Sequence, residues 1–177
     1  MLIDELKNIA RNNGIVGAGG AGFPAYAKMT EKADTVILNC VECEPLLKLH
    51  RQLLATHTEE IIQMLDEVRE SFGAKEAVIG IKSEYVTTIK AIEEVIGDFP
   101  NVRICALKAA YPMGDEVVLI YEATGRVIKP GGLPIDENVV VYNVETMYNL
   151  YRAVHLNIPV TNKLVSIVGE IDHPLTV

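Results

Sequence analysis

Cysteine is scarce in this 177-residue chain: Cys40, Cys43 and Cys105 are all it has. An odd number without regular spacing gives no disulfide framework and fits a reducing cytosol. Cys40-Val41-Glu42-Cys43 has the form C-x-x-C, but zinc would need a second ligand pair and no second C-x-x-C or nearby His pair follows. Core or supporting thiols are expected there rather than a redox disulfide. Long apolar runs are missing as well. Although 49% of the residues are hydrophobic, no stretch approaches the ~18–20 that a membrane span requires. No Lys/Arg cluster is dense enough to track a nucleic-acid backbone, and the net charge is −8, so nucleic acid is not an expected partner. No charged-then-apolar leader opens the chain, so secretion is not expected. Repeats and low-complexity tracts are absent too. The length suits one domain, or one domain and the start of another.

What the chain has in abundance is glycine, and in one place. Five glycines fall within the nine residues from Gly14 to Gly22, followed by Phe23, Pro24 and Lys28. Glycine leaves no Cβ in the way and lets amide N–H groups close on a ligand, so the loop suits a phosphate or a flat ring, with Lys28 as a nearby cation. Gly17-x-Gly19-x-x-Gly22 formally matches the dinucleotide fingerprint, which requires a strand before it. Here the preceding segment, Leu2 to Arg11, has helical spacing of Leu2, Ile3, Leu6 and Ile9. No Gly-Lys-Ser/Thr follows, so a Walker loop fails too. The loop reads as a nucleotide cradle of another kind. Its alternative is a tight connection without a ligand, which so many glycines would burden with chain entropy.

Strands and helices then alternate. Thr35–Cys40, Ala77–Ile81, Val102–Leu107 and Val139–Tyr142 read as strands. Leu46–Ala55 has helical character, and Thr56-His57-Thr58-Glu59 has the form of a capping box for a helix ending at Gly73. Ser83 is the expected cap of a helix carrying Val86, Ile89, Ile92 and Ile96 and stopped by Gly97. Further helices are expected over Asp115–Ala123, before Gly125, and from Val144 to about Val154. This alternation predicts an α/β fold with a mainly parallel sheet and helices packed on it. The tail, Lys163 to Gly169, alternates like a half-buried strand with nothing after Val177 to pair with it. The expectation is a domain over 1–160, with 161–177 the start of a truncated following domain.

Ligands on open parallel sheets bind at the carboxyl ends of the strands. Those ends carry Asn39, Glu42 and Glu44; then Gly114, Asp115 and Glu116; then Asn143 and Thr146. Gathered carboxylates are costly unless they serve hydrogen bonding or metal, and no His accompanies them to favour metal. Each residue taken singly has a plainer role: Asp115 and Glu116 in a first helical turn, Glu44 in a solvated turn, Asn143 as a cap, Thr146 at a helix start. Their joint placement around a glycine cradle favours a nucleotide.

Gly-Ala-Gly-Gly-Ala-Gly-Phe-Pro-x-x-x-Lys, then Asn-x-x-Glu-x-Glu-Pro, then Gly-Asp-Glu, then Asn-Val-Glu-Thr resemble the flavin- and NADH-binding subunit of respiratory complex I. Glu42-Cys43-Glu44-Pro45, Tyr111-Pro112-x-Gly114, Thr124-Gly125-Arg126 and Gly131-Gly132-Leu133-Pro134 are similar to its RnfC-like branch, which includes cobalamin-reductase-type and proline-reductase-associated members. The resemblance spans residues 14 to about 155. It implies a Rossmann-like domain carrying FMN that takes hydride from NADH, working with other electron-transfer proteins, in the cytoplasm or on the cytoplasmic face of a membrane complex. It assigns Gly17, Gly19, Gly20 and Gly22 to the nucleotide-facing loop, Lys28 and Asn143 to FMN, and Asn39 to the isoalloxazine. Phe23, Glu44, Asp115 and Glu116 would face NADH, and Glu42, Gly114 and Thr146 would complete the site. It also implies that a β-grasp domain and cysteine-ligated [4Fe–4S] clusters follow, the clusters lying beyond Val177. The chain departs from complex I at Val41, where that subunit has an acid, and at Met29-Thr30-Glu31 and Leu133, where it has aromatics. The rival reading is a docking module that kept the scaffold and lost the flavin.

Overall fold

A computed structural model describes residues 1–173 and 175–177. Four strands, β1 (Thr35–Cys40), β2 (Glu76–Lys82), β3 (Val102–Leu107) and β4 (Val139–Asn143), form one sheet in the order β3-β2-β1-β4, and every pairing is parallel. Between them run α3 (Leu49–Thr56), α4 (Thr58–Phe72), α5 (Val86–Val95) and α6 (Glu116–Thr124). The helices α1 (Ile3–Asn12) and α2 (Ala25–Lys28) precede the sheet, and α7 (Val144–His155) follows it. The fold is α/β, as the alternation of segments predicts, and Rossmann-like, as the resemblance implies.

Strand periodicity divides the core into two layers. Val36, Leu38 and Cys40 of β1 join Ile79, Ile81, Val140 and Tyr142 in the larger layer, with Leu54, Ile61, Leu65, Ile92, Met147 and Leu150 from the helices. Ile37 and Val41 face the other way, with Val78, Val139 and Val141, and meet Leu119, Ile120 and Ala123 of α6. One short helix therefore covers the second face. The chain steps outward from β1 to β2 to β3, then returns beneath α6 to place β4 on the far side of β1. The order of strands thus reverses between β1 and β4, the place where open α/β sheets leave a crevice at their carboxyl ends.

Local signals behave unevenly. Gly73 and Gly125 end α4 and α6 in the left-handed conformation, at φ of 69° and 75°, as expected of C-caps. The capping box at Thr56–Glu59 does not form: His57 is the N-cap without a side-chain bond, and the Thr56 and Thr58 hydroxyls turn back to the Gln52 and Leu54 carbonyls of α3. The α3 carbonyls lie within reach and win the hydroxyls. Ser83 does not cap α5, whose N-cap is Tyr85, and α5 runs through Gly97 in a 3-10 turn over Ile96–Asp98. The tail strand has a partner after all: β5 (Ser166–Ile167) pairs antiparallel with β6 (Leu175–Thr176).

Candidate functional site

The glycine loop is a pinned hairpin rather than a loose connection. Gly17 N–H donates to the Phe23 carbonyl at 2.7 Å, Ala25 N–H donates to Ile15 at 3.0 Å, and Val16 bridges Pro24. The Ala18 amide donates to the Thr146 hydroxyl at the start of α7, 2.9 Å away, which holds the loop over the crevice between β1 and β4. Gly20 and Gly22 sit at φ of 124° and 63°, where a side chain would be strained. Residues 18–21 form a turn, and among the described residues no short hydrogen bond within the protein engages the amides of Gly19, Gly20 or Ala21. Successive free N–H groups of this kind form an anion-binding concavity.

Beneath the loop lies a cleft of about 270 Å³, lined by Gly17, Gly19, Phe23, Lys28, Asn39, Glu116, Asn143 and Thr146, over an apolar floor that includes Ala25 and Val141. Register explains part of this convergence, for Asn39 of β1 is the parallel partner of Asn143 of β4, so both side chains emerge on the α6 face. Asn39 donates to the Gly114 carbonyl at 3.0 Å and accepts the Val41 N–H at 3.0 Å, tying β1 to the approach of α6. Gly114 cannot carry a Cβ, which would overlap the Val41 carbonyl oxygen. Asp115 caps α6 by accepting from Val117 and Val118. Lys28 Nζ lies 3.4 Å from Glu116 Oε1 and 3.3 Å from the Val141 carbonyl. The cation and the acid that the resemblance assigns to two different ligands therefore share one wall. Phe23 is 49% exposed and stands between this cleft and an adjoining cavity of about 470 Å³, whose walls include Leu133, Ile135 and Val140.

Six of the expected residues are outside the cleft lining: Gly20 and Gly22 in the loop, Gly114 and Asp115 at the start of α6, and Glu42 and Glu44 on the turn after β1. Glu44 is exposed on the turn after β1. Glu42 is buried on that turn, accepts the His50 N–H at 2.9 Å and stands 3.7 Å from Arg51 Nε. Its Oε2 has no hydrogen-bond partner, and burial pushes its carboxyl above the ordinary 4.5 despite the His50 amide and Arg51. Sequence reasoning missed His50 and Glu145. Asn143 Oδ1 caps α7 by accepting from Glu145 N–H at 2.9 Å, while its Nδ2 faces the His50 ring. The Glu145 carboxylate is buried, pairs with Lys163 and accepts the Leu164 N–H at 3.1 Å. Burial is the main reason the His50 ring has a pKa lowered to about 4. His50 carries no motif, and Glu145, although inside Asn-Val-Glu-Thr, carries no sign of its buried pairing; a tail lysine and a helix start meet only in the fold. Cys40 and Cys43 are free thiols, Cys40 fully buried. No group of three or more potential metal ligands occurs among the described residues, and none of the described helices is long and apolar enough to cross a membrane.

A parallel sheet with a glycine-capped cleft at its topological switch point is the architecture of nucleotide-binding α/β domains. The family described as the Nuo51 FMN-binding domain matches residues 10–152. The chain is 39% identical over 174 residues to the cobalamin reductase PduS of Salmonella typhimurium, covering 98% of this chain and 38% of that protein. It is 33% identical to a subunit of the Na(+)-translocating ferredoxin:NAD(+) oxidoreductase complex of Acetobacterium woodii, covering 98% of this chain and 40% of that one. An NAD+-reducing [NiFe]-hydrogenase structure superposes with a TM-score of 0.73 at 25% identity, over 86% of this chain and 30% of that one. This chain belongs to the complex I 51-kDa FMN-binding domain family, in its RnfC- and PduS-like branch. It spans about two fifths of the length of these curated relatives.

The residues present fit FMN. The free amides of the loop and Lys28 suit a phosphate, Asn143 offers an amide edge, and the Ala25–Val141 floor offers a surface for a flat ring.

Proposed function

We propose that this chain holds FMN in the cleft between β1 and β4 and serves as the point where hydride from NADH enters a longer electron-transfer oxidoreductase. Family membership supports the cofactor, and one observation carries its placement: unpaired loop amides lie over a cleft that gathers Lys28, Asn39, Asn143 and Thr146. FMN supplies the redox chemistry when bound, accepting two electrons as hydride and releasing them singly. The protein's share is orientation and electrostatics. Gly17, Gly19, Gly20 and Gly22 shape the anion nest, which Thr146 anchors through Ala18. Lys28 contributes positive charge, tempered by Glu116. Asn39 and Asn143 present amide edges side by side. Gly114 and Asp115 set the position of α6 and hence of Glu116.

The adjoining cavity, reached past Phe23, is the proposed seat of the nicotinamide nucleotide. Glu116 lines that cavity and is its proposed polar contact, with Glu44 and Glu42 proposed to act on the nucleotide from the turn after β1, outside that lining. Residues 161–177 are proposed as the start of a following β-grasp-like domain, with [4Fe–4S] clusters farther along and other electron-transfer proteins as partners. The setting would be cytoplasmic or peripheral on a membrane complex.

Calorimetry with added FMN tests the reading directly, and no heat of binding at high micromolar protein would reject it. Lys28→Ala is expected to weaken binding by roughly 1.5–3 kcal/mol if the phosphate contact is desolvated. Glu44→Gln should leave FMN affinity intact and slow bleaching by NADH in stopped flow. Wild-type bleaching rates in that variant would remove Glu44 from the nicotinamide site.

A further inference from the structure

The cavity that adjoins the cofactor cleft has two ends of different character. Phe23, Lys28, Glu116 and Val141 line both spaces and so form the end next to the proposed flavin. The far end belongs to the second cavity alone, with Thr30 and Lys32 among its walls and Leu133, Pro134 and Ile135 as its apolar surface. Val139, Val140 and Val141 all line it, although neighbouring strand residues point to opposite faces. The cavity therefore runs along the edge of β4 that β1, its single partner, leaves open. Phe23 is the one aromatic in the lining, and it stands at the near end. The charges are uneven as well. Glu116 is engaged by Lys28 at 3.4 Å, whereas Lys32 enters no ion pair among the described residues. Two lysines and one acid line the cavity, an excess of one cation in a chain whose net charge is −8. Nor is Lys32 on a loose strand of backbone. Met29 and Ala33, on either side of its turn, are 3% and 2% exposed. The Lys32 N–H donates to the Thr30 hydroxyl at 3.2 Å, and Arg126 holds Asp34, two residues on, at 2.6 Å.

We propose that Lys32 is a specificity-determining residue of the second cavity: it binds a phosphate on the adenosine half of a dinucleotide. Hydride transfer needs the nicotinamide within about 3–3.5 Å of the flavin, which places it at the near end. The adenosine half then has the far end to occupy. Lys28 is already committed to the flavin phosphate and to Glu116, so Lys32 is the cation left for a second anion. A lysine acts there as a point charge that needs no fixed geometry from its ligand, while the Leu133–Ile135 wall offers apolar surface to sugar and base. Either the bridging pyrophosphate or a 2′-phosphate supplies the anion, and the same charge serves both.

The nucleotide rests on the function proposed above, whereas the cavity and its excess charge do not, and the experiment separates them. ADP-ribose and 2′-phospho-ADP-ribose carry the adenosine half without nicotinamide or hydride, so their binding can be read on flavin-free protein. In amide NMR titrations they should shift Thr30, Lys32 and Ile135. Lys32→Glu should weaken binding on the order of tenfold or more, and Lys32→Arg should stay within about threefold of wild type. A greater loss for the 2′-phospho compound would make the 2′-phosphate the contact, and equal losses would make it the pyrophosphate; both support the assignment. No binding of either compound, binding that leaves those amides unshifted, or equal losses in Lys32→Glu and Lys32→Arg would overturn it, as would an unchanged affinity, which would make Lys32 a solvated rim residue. With FMN bound, Lys32→Glu should slow bleaching by sub-saturating NADH about tenfold. Bleaching by N-benzyl-dihydronicotinamide, which has no phosphate, should slow less than twofold. Equal slowing with both donors would show a general disturbance and overturn the assignment. If NADH never bleaches the wild type while ADP-ribose binds at Lys32, the hydride-donor reading falls and the phosphate contact stands.

Discussion

Single side chains here carry opposite pH liabilities a few residues apart. His50 holds its proton less tightly in the fold than its ordinary 6.5, at about 4, so between those values the unfolded chain binds a proton that the folded one refuses. Stability from this group is therefore complete above about pH 6.5 and falls as pH drops toward 4. Glu42 runs the other way: its folded pKa is raised above 4.5, so the folded state keeps a proton that the unfolded state has released, and its contribution declines as pH rises through that window. Glu145 and Lys163 face His50, while Arg51, Lys82 and Tyr85 face Glu42. His50→Gln removes only the first liability. Urea unfolding at pH 7 and pH 5 should show the wild type losing more stability on acidification than this variant. Equal losses would place the burden on the carboxylates alone.

At the scale of elements, α6 is the narrow point. Leu119 and Ile120 are fully buried against Ile37, Val78 and Val141, and this one helix covers the second face of the sheet while presenting Glu116 to the cleft. Leu119→Ala should cost about 2–5 kcal/mol in urea unfolding and also weaken FMN, because α6 would settle into the vacated space. A stability loss without an effect on binding would show that the cleft does not depend on where α6 sits. The elements themselves were legible in the sequence. Thr35–Cys40 and Val102–Leu107 match the observed strands at both ends, because short, mostly apolar runs between turn signals leave little choice. The caps at Thr56 and Ser83 misled, since hydroxyls choose among nearby carbonyls and amides that only the fold supplies. The loop, Lys28, Asn39, Glu116, Asn143 and Thr146 stand in motifs, and the fold brings them to one cleft. The His50–Asn143 contact was not legible: it joins residues 93 apart, one in the first turn of α3 and one at the end of β4, and neither residue alone signals the other. Alternation marked the segment that holds β5, but its partner β6, two residues long, is too short to register as a strand.

For the whole molecule, the question is where electrons go after the cleft. Hydride delivers two electrons together, whereas iron–sulfur proteins take them one at a time, and each [4Fe–4S] cluster needs four thiolates. This chain has three cysteines, one fully buried at the end of β1 with its thiol pushed far up by burial, and another on the sheet-edge strand β3, which pairs only with β2. They cannot ligate a cluster together. Under the proposed function, clusters then belong to the part of the relatives' length that these residues do not span. Residues 1–177 with FMN should accordingly oxidise NADH when a dye collects electrons directly from the cleft, at whose edge Phe23 stands exposed. The same protein should reduce a ferredoxin-like acceptor poorly, by at least tenfold relative to dye at matched concentration, since no relay carries single electrons outward. Parallel steady-state assays with the two acceptors check this. Ferredoxin reduction as fast as dye reduction would make the cleft itself the exit, with a partner docking over Phe23, and would overturn the division between an entry domain here and a relay elsewhere.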